Sequence, residues 1–423
     1  MSSSPPTVIL GAGIMGVATA YYLSQHDPTS EIHIVEASPE LFSSASGFAG
    51  GFLAKDWFSP ALAELGALSF EEHRRLAEEF GGREKWGYSP AEAVRYAASK
   101  SNDGDEAKRG DDWLRDGTSR ANAGPPVVLG VDDEQAPVWI PRREGDHLEL
   151  ISEAGSTAQV DPLLLCRFLL EEGVKRGVTV HQPAKVTGVV REVMDGMLSG
   201  VAVRDVRTGE EKMVDCARLV ITAGSWSGKV FEELFPMSRL KIPIQSLAGH
   251  SLVVKSPRWH KAVEGKGCHA VFTTHEQAFC PEMFSRLGGH VYFAGLNSST
   301  LPVPDAEEGK AMPDAGDLVS LRTAAADILG TGLEIVREGL CFRPVTAWGT
   351  PIVSRIPDQD LGGNITTKGA AEGGVFLAAG HGPWGIAQSL GTGLVLAEMV
   401  TGRKTSADVS SLAFGSDTMA ALD

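Results

Sequence analysis

Several kinds of segment are missing from this chain of 423 residues, and each absence narrows its function. No run of eighteen apolar residues occurs, so no segment has the length that a membrane-spanning helix needs. No basic, apolar leader precedes the first predicted strand at Thr7, so we expect a cytoplasmic location. The five cysteines are odd in number and form no C-x-x-C pair, which argues against a disulfide framework or a redox-active disulfide. No metal site is predicted.

Positive charge is also scarce. The chain has 38 Lys and Arg residues against 54 Asp and Glu, a formal net charge of −16 at pH 7. Nucleic acid and anionic membrane surfaces would be repelled, so neither is expected as a partner. The hydrophobic fraction of 43% is enough to bury a large core in two or three domains. The composition therefore predicts a globular protein whose partner is a small molecule, and it leaves the oligomeric state open.

The N-terminal segment contains a dinucleotide-binding pattern. An apolar strand, residues 7–10, runs directly into Gly11, Gly13 and Gly16, and an Ala-rich helix follows. In this G-x-G-x-x-G pattern the first glycine permits a tight turn, the second lets the backbone approach a pyrophosphate, and the third lets the helix pack on the strand. Glu36 ends the next strand, where its carboxylate would accept hydrogen bonds from a ribose. An acid there disfavours a 2′-phosphate, so the predicted ligand is FAD or NAD.

A second nucleotide-binding pattern is absent. The later glycine clusters at residues 224–228 and 391–393 have the wrong spacing for one. Enzymes that take electrons from a nicotinamide are expected to carry two such units. The single dinucleotide would therefore be the redox group itself, reduced directly by the substrate.

The remaining segments predict an α/β protein with a second, sheet-based domain. A helix over residues 163–175 precedes a predicted β-meander that leads to a further sheet strand. The short strands of this region are predicted at residues 178–180, 185–190, 200–204 and 218–224. Alternating polarity over residues 242–293 predicts antiparallel strands of a separate sheet, followed by a helix over residues 315–330. Residues 99–126 are rich in Asp, Gly, Lys, Arg and Ser, which predicts a solvated insertion.

Ordered blocks of sequence make the chain resemble the D-amino-acid-oxidase-type superfamily of FAD-dependent oxidoreductases, which includes glycine oxidase, monomeric sarcosine oxidase and the fructosyl-amine oxidases. The blocks are Gly11 to Glu36, Ala45 to Gly51, Ile221 to Trp226, and Gly339 to Pro344 with Ala379 to Gly385. Fungal members that carry the stretch from Gly50 to Trp57 are the most similar. The resemblance implies FAD as the cofactor, a Rossmann-like domain of the glutathione-reductase type, and an α+β substrate domain with an antiparallel sheet.

The resemblance also implies domain boundaries. A discontinuous FAD-binding domain takes residues 1–90, 150–240 and 336–415. The substrate domain takes residues 91–149 and 241–335, and the solvated insertion lies within it.

The glycine pattern and the resemblance together predict the FAD-binding residues. The loop from Ser44 to Gly51 offers hydroxyls and N–H groups to the pyrophosphate and glycine backbone to the isoalloxazine, although Ala49 replaces an Asn that is common in the family. The segment from His381 to Ile386 would aim N–H groups at the N(1)–C(2)=O edge of the flavin, where reduction places negative charge. The full predicted set is Gly11, Gly13, Ile14, Met15, Gly16, Glu36, Ala37, Ser44, Ser46, Gly50, Gly51, Val186, Ala223, Gly224, Trp226, Cys341, Gly382, Pro383, Trp384, Gly385 and Ile386, with a position in the core as the alternative for Val186.

The resemblance also implies residues for the substrate and for catalysis. Arg343 matches the arginine that binds the substrate carboxylate in D-amino-acid and glycine oxidases, with a surface salt bridge as the alternative. Cys341 matches the position where sarcosine and fructosyl-amine oxidases attach FAD through a thioether, with a buried structural cysteine as the alternative. His381 contacts the flavin or substrate, or is a turn residue. Lys55 and His250 are candidate positive charges for the reaction of the reduced flavin with oxygen, or are simply solvated.

These residues predict an FAD-dependent oxidase of a small amine or amino acid, with oxygen as its second substrate. Hydride transfer from the amine carbon to the flavin would give an imine and, after reoxidation, hydrogen peroxide. Two alternatives stay open. One is a dehydrogenase of the same fold that passes electrons to a quinone or a protein, and the other is a flavin-binding protein with a regulatory role. The replacement at Ala49 favours the last alternative, whereas Arg343 and His381 weigh against it.

Overall fold

The computed structural model describes residues 4–97, 120–124, 129–130, 136–274 and 279–414. Most of the predicted solvated insertion, residues 99–126, lies outside the described residues.

A mainly parallel sheet forms the centre of the nucleotide-binding part. In sheet order its strands are β18 (Ile352–Ile356), β19 (Gly374–Ala379), β12 (Arg218–Ile221), β1 (Thr7–Leu10), β2 (Ile32–Val35) and β8 (Thr179–His181). All neighbours pair in parallel except β18 with β19. Every residue of β1 is buried, as expected for a central strand covered on both faces.

Helices cover one face of this sheet. Helix α1 (Ile14–His26) crosses α8 (Gly385–Val400), where a Cβ on Gly393 would lie 2.7 Å from the Ala18 backbone. Helix α5 (Pro162–Lys175) begins at the N-cap Asp161, which accepts a hydrogen bond from the Leu164 N–H. The remaining helices that complete this numbering are α2 (Ala45–Phe48), α3 (Ala63–Phe80), α4 (Gly82–Trp86), α6 (Ser227–Leu234) and α7 (Ala315–Leu329).

A three-stranded antiparallel sheet covers the opposite face. It contains β9 (Ala184–Arg191), β10 (Leu198–Asp205) and β11 (Glu211–Asp215). The meander thus starts one strand later than predicted, because residues 179–181 join the edge of the parallel sheet. Strand β11 was missed, since only Val214 in it is buried and the segment shows no alternation of polar and apolar residues.

A large mixed sheet forms the second part of the molecule. Its strands in order are β17 (Glu334–Val345), β13 (Gln245–Lys255), β16 (His290–Ser298), β15 (Glu282–Arg286), β14 (Cys268–Thr274), β4 (Ser89–Ala97), β6 (His147–Leu150) and β5 (Leu129–Gly130), with β3 (Phe52–Ala54) and β7 (Thr157–Gln159) attached at one side. Strand β17 pairs with β13 along its length, whereas the domain boundaries expected above gave residues 336–345 to the FAD-binding domain. Local sequence does not reveal which sheet a strand joins.

Short 3-10 turns connect several of these elements, including residues 382–384 directly before α8. Within the described residues, no helix is both long enough and apolar enough to cross a membrane.

Candidate active site

A cavity lies where the carboxyl ends of the parallel strands face the mixed sheet. It has about 1990 Å³ of empty space, including its mouth. Leu10, Val35 and Thr222 line it at the ends of β1, β2 and β12, and Tyr292 and Arg343 line it from the mixed sheet. The carboxyl ends of strands are where open α/β sheets bind their ligands.

The glycine turn after β1 has the geometry that its pattern predicts. Gly11 has a φ of 97°, and a Cβ there would lie 2.8 Å from the Thr222 carbonyl oxygen. A Cβ on Gly16 would lie 2.0 Å from the Gly11 oxygen, so Gly16 allows α1 to pack on the turn and does not itself line the cavity. Gly13, Ile14 and Met15 do line it, at the N-terminus of α1, where N–H groups and the helix dipole favour an anion.

Glu36 holds this turn in place from the end of β2. Its Oε2 accepts a 2.8 Å hydrogen bond from the Ala12 N–H, and its Oε1 accepts one of the same length from Ser38. Burial raises the pKa of the Glu36 carboxyl, and these backbone donors oppose the increase. Glu36 and Ala37 both line the cavity, in the position predicted for ribose binding.

The serine loop lies opposite the helix N-terminus. The Ser46 hydroxyl accepts a 2.9 Å hydrogen bond from the Ile14 N–H, which fixes the loop against α1. The Ser44 hydroxyl is buried at the cavity wall, and no described residue is its hydrogen-bond partner. An unsatisfied hydroxyl beside a glycine turn fits the diphosphate of FAD, which offers acceptor oxygens.

Four residues predicted to bind FAD also line the cavity: Val186, Ala223, Gly224 and Trp226. The indole N–H of Trp226 donates a 2.8 Å hydrogen bond to the Pro304 carbonyl oxygen, which orients the ring.

The residues predicted to face the flavin divide into those that line the cavity and those that pack behind its lining. Gly50 lines it, and a Cβ there would lie 2.5 Å from the Phe284 ring. Gly51 does not line it, because its backbone packs against Val160. Trp384 is also outside the lining and packs against Phe58, with ring centroids 5.1 Å apart. The other predicted residues of this segment, Gly382, Pro383, Gly385 and Ile386, line the cavity.

Arg343 lies at the mixed-sheet end of the cavity. Its Nη1 donates a 2.7 Å hydrogen bond to Oδ1 of Asn297. The guanidinium occupies the space over Gly249, where a Cβ would lie 2.2 Å from Nη1. Burial lowers the pKa of Arg343, but Cys341, Tyr292 and Glu282 together raise it, and the net shift is upward.

Cys341 and His381 also line the cavity, and burial keeps both side chains neutral. Burial raises the pKa of the Cys341 thiol. Burial lowers the pKa of His381 to about 3, and its Nε2 lies 3.1 Å from the Thr392 hydroxyl.

The structure does not bring the two candidate cations for oxygen chemistry to the cavity. Lys55 is 45% exposed and pairs with Glu71 at 2.9 Å. His250 is buried on β13, with its Nε2 3.4 Å from a carboxylate oxygen of Asp317. Neither residue is among the described residues that line the cavity.

Several residues in and beside the cavity were not predicted from the sequence. Glu282, Tyr292 and Asn297 line the cavity together, and Gly249 packs against Arg343 beside them, only because neighbouring strands of the mixed sheet align these residues. No local motif marks any of them.

Comparisons with known proteins agree with this architecture. The family model for DAO, the FAD dependent oxidoreductases, matches residues 7–399. The Saccharomyces cerevisiae protein TDA3, named as an oxidoreductase, is 23% identical over 517 residues, covering 96% of this chain and 93% of TDA3.

Solved structures show the same fold. Glycine oxidase from Geobacillus kaustophilus superposes with a TM-score of 0.69 at 19% identity, covering 97% of this chain and 98% of that one. L-proline dehydrogenase from P. horikoshii gives a TM-score of 0.71 at 15% identity, covering 98% and 97%. The family model covers nearly the whole chain, and the cofactor of the family fits the glycine turn, Ser44 and Glu36. This protein therefore belongs to the DAO family of FAD-dependent oxidoreductases.

Proposed function

We propose that this protein oxidises a small amine or amino acid at its CH–NH bond, with molecular oxygen as the final electron acceptor, giving an imine and hydrogen peroxide. The bound FAD supplies the chemistry by accepting a hydride from the carbon that carries the amine. The observation that carries the proposal is Arg343, a half-buried cation that lines the cavity from the mixed sheet.

Arg343 is suited to hold the carboxylate of an amino acid. A guanidinium offers two parallel donors to a carboxylate, and Asn297 fixes the fork by accepting from Nη1. Glu282 lines the same cavity and contributes to the electrostatic environment of Arg343. An amino acid carries a carboxylate and an amine, which would face the positive charge of Arg343 and the negative charge of Glu282 in the cavity wall. The names of two structural neighbours, glycine oxidase and iminodiacetate oxidase, support this class of substrate.

Other residues of the cavity wall exclude water and stabilise charge. Phe284, Tyr292 and Phe342 form apolar wall beside Arg343. Gly382, Pro383, Gly385 and Ile386 line the cavity where the chain enters α8, so the positive end of this helix dipole lies at the cavity wall. Negative charge that develops in the cavity during oxidation is stabilised by this fixed dipole.

A dehydrogenase is the second candidate function. Lys55 and His250 lie outside the described cavity lining, so neither supplies the positive charge expected to assist the reaction with oxygen. Oxygen uptake during turnover, compared with reduction of a quinone or an artificial dye, distinguishes the two functions. An oxidase consumes oxygen and releases hydrogen peroxide without any added acceptor.

The decisive experiment is anaerobic mixing of the yellow holoprotein with panels of amino acids and of amines that lack a carboxylate. We expect only the amino acids to bleach the flavin absorbance efficiently. Arg343→Lys should reduce kcat/KM for amino acids on the order of a hundredfold, because an ammonium does not reproduce the two hydrogen bonds of the fork. Arg218→Lys is the control, since Arg218 is a buried arginine that bonds to Asp27 and Ala371 outside the cavity lining.

Efficient bleaching by amines without a carboxylate, with amino acids inactive, would contradict a carboxylate-binding Arg343. The function would then be oxidation of amines, with Arg343 in a structural role.

A further inference from the structure

Arg286 is a buried cation behind the cavity wall that the predicted site does not include. Its side chain is 7% exposed, and its Nη2 donates to the carbonyl oxygens of Ala49 at 2.7 Å and Gly50 at 2.9 Å. Its Nη1 lies 3.3 Å from Oδ2 of Asp161, the N-cap of α5. Gln159 adds a 2.7 Å hydrogen bond to the same Gly50 oxygen. Arg286, on β15, therefore connects the loop from Ser44 to Gly51 with the N-terminus of α5 through hydrogen bonds.

The direction of these hydrogen bonds decides where the N–H groups of the loop point. In a trans peptide the C=O and N–H lie on opposite sides of the chain. Because Arg286 draws in the carbonyls of Ala49 and Gly50, the N–H groups of Gly50 and Gly51 point to the other side. Neither N–H donates a hydrogen bond to any residue that the structure describes. Such donors need an acceptor from a ligand or from water.

The side chains around the loop leave little room for it to shift. The Phe284 ring packs directly beneath Gly50, where a Cβ would overlap it at 2.5 Å. The Arg286 guanidinium lies 5.5 Å from the centre of the Tyr292 ring, which lines the cavity beside Arg343. Hydrogen bonds from Arg286 and packing against the Phe284 ring therefore fix the position of the loop.

We propose that Arg286 is a positioning residue for the cofactor. It turns the N–H group of Gly50, which lines the cavity, toward the isoalloxazine ring of FAD as a hydrogen-bond donor. Its planar fork is necessary for this role. A lysine ammonium is a point charge and does not satisfy two carbonyls and a carboxylate in the same geometry.

The test compares holoprotein and apoprotein of Arg286→Lys and Arg286→Met with Arg218→Lys. Arg218 is a close match, because it is buried, pairs with Asp27 at 3.0 Å, and donates to the Ala371 carbonyl oxygen at 2.9 and 2.6 Å. Three properties are measured: the FAD dissociation constant from flavin fluorescence, the visible absorption spectrum of bound FAD, and the melting temperature of the apoprotein. No substrate is needed, so the result is independent of the proposed amine oxidation.

We expect Arg286→Lys to weaken FAD binding about tenfold or more and to shift the absorption bands of the bound flavin, since hydrogen bonds to the ring are lost. Arg218→Lys should lower the melting temperature but leave both FAD properties as in the parent. An unchanged dissociation constant and spectrum in Arg286→Lys would overturn the proposal.

If neither Arg286 variant folds, the absorption spectrum of FAD bound to Asp161→Asn tests the proposal instead. The asparagine oxygen still caps α5, but the charge that holds Nη1 is gone. A shift in the flavin spectrum in the same direction supports the proposal, and an unaltered spectrum overturns it.

Discussion

Gly249 shows how a single missing side chain makes room for a functional group. A Cβ at this position would lie 2.2 Å from Nη1 and 2.6 Å from Cζ of Arg343. We therefore expect Gly249→Ala to displace the guanidinium and to lower kcat/KM for amino acids nearly as much as Arg343→Lys, with little effect on FAD affinity. Gly188→Ala is the control, because nothing lies within 4 Å of its added Cβ. Normal turnover by Gly249→Ala would show that Arg343 is not needed in this position.

Cys341 determines whether the flavin is attached covalently. A thioether forms from the thiolate, and burial raises the pKa of Cys341, which keeps the thiol protonated. We expect FAD to be bound without a covalent link. After acid precipitation the yellow colour should be in the supernatant, whereas a coloured pellet would demonstrate a bond and show that flavin binding activates the thiol.

The contact between helices α3 and α8 gives stability a defined pH dependence. His73 on α3 is buried, and its Nε2 donates a 2.9 Å hydrogen bond to the Ile386 carbonyl oxygen in the first turn of α8. Burial lowers the pKa of His73 to about 4 in the folded chain. The unfolded chain binds a proton near pH 6.5, so it binds more protons than the native state between about pH 6.5 and 4.

The free energy of unfolding should therefore fall as the pH is lowered through this window. One such histidine contributes at most about 1.4 kcal/mol per pH unit. His73→Gln should flatten the dependence, measured by urea denaturation of the apoprotein from pH 7 to 4, and substitution of the exposed His147 should not. An identical slope in His73→Gln and the parent would show that His73 is already charged in the folded state.

At the scale of the whole molecule, the cavity lies between two sheet systems that also share one hydrophobic core. Gly11 and Glu36 line it from the parallel sheet, and Tyr292 and Arg343 line it from the mixed sheet. A ligand that spans the cavity stabilises both parts at once.

Removal of FAD should lower the melting temperature of the whole protein. Adding FAD back at a hundredfold excess over its dissociation constant should contribute about 2.7 kcal/mol. FMN is the matched control, because it lacks the adenosine that would reach Glu36, and it should raise the melting temperature less. Equal effects of FMN and FAD would mean that the adenosine end of the cavity is not used.

The parts of this protein that follow from its sequence are those built by neighbouring residues. The turn at Gly11, the close packing at Gly16 and the acid at Glu36 depend on one strand–turn–helix–strand unit, and the structure has each of them. The single nucleotide motif and the ordered blocks were enough to predict the family, the fold class and the cofactor.

Only the tertiary structure showed which residues surround Arg343, and which of the predicted residues line the cavity rather than pack behind it. The register between β13 and β17 sets Gly249 opposite Cys341 and leaves space for Arg343 two residues on. Lys55 is only four residues beyond the loop from Ser44 to Gly51, yet its side chain is exposed and pairs with Glu71. Strand pairing joins residues that are far apart along the chain. Its register depends on the packing of whole sheets, which no local pattern encodes.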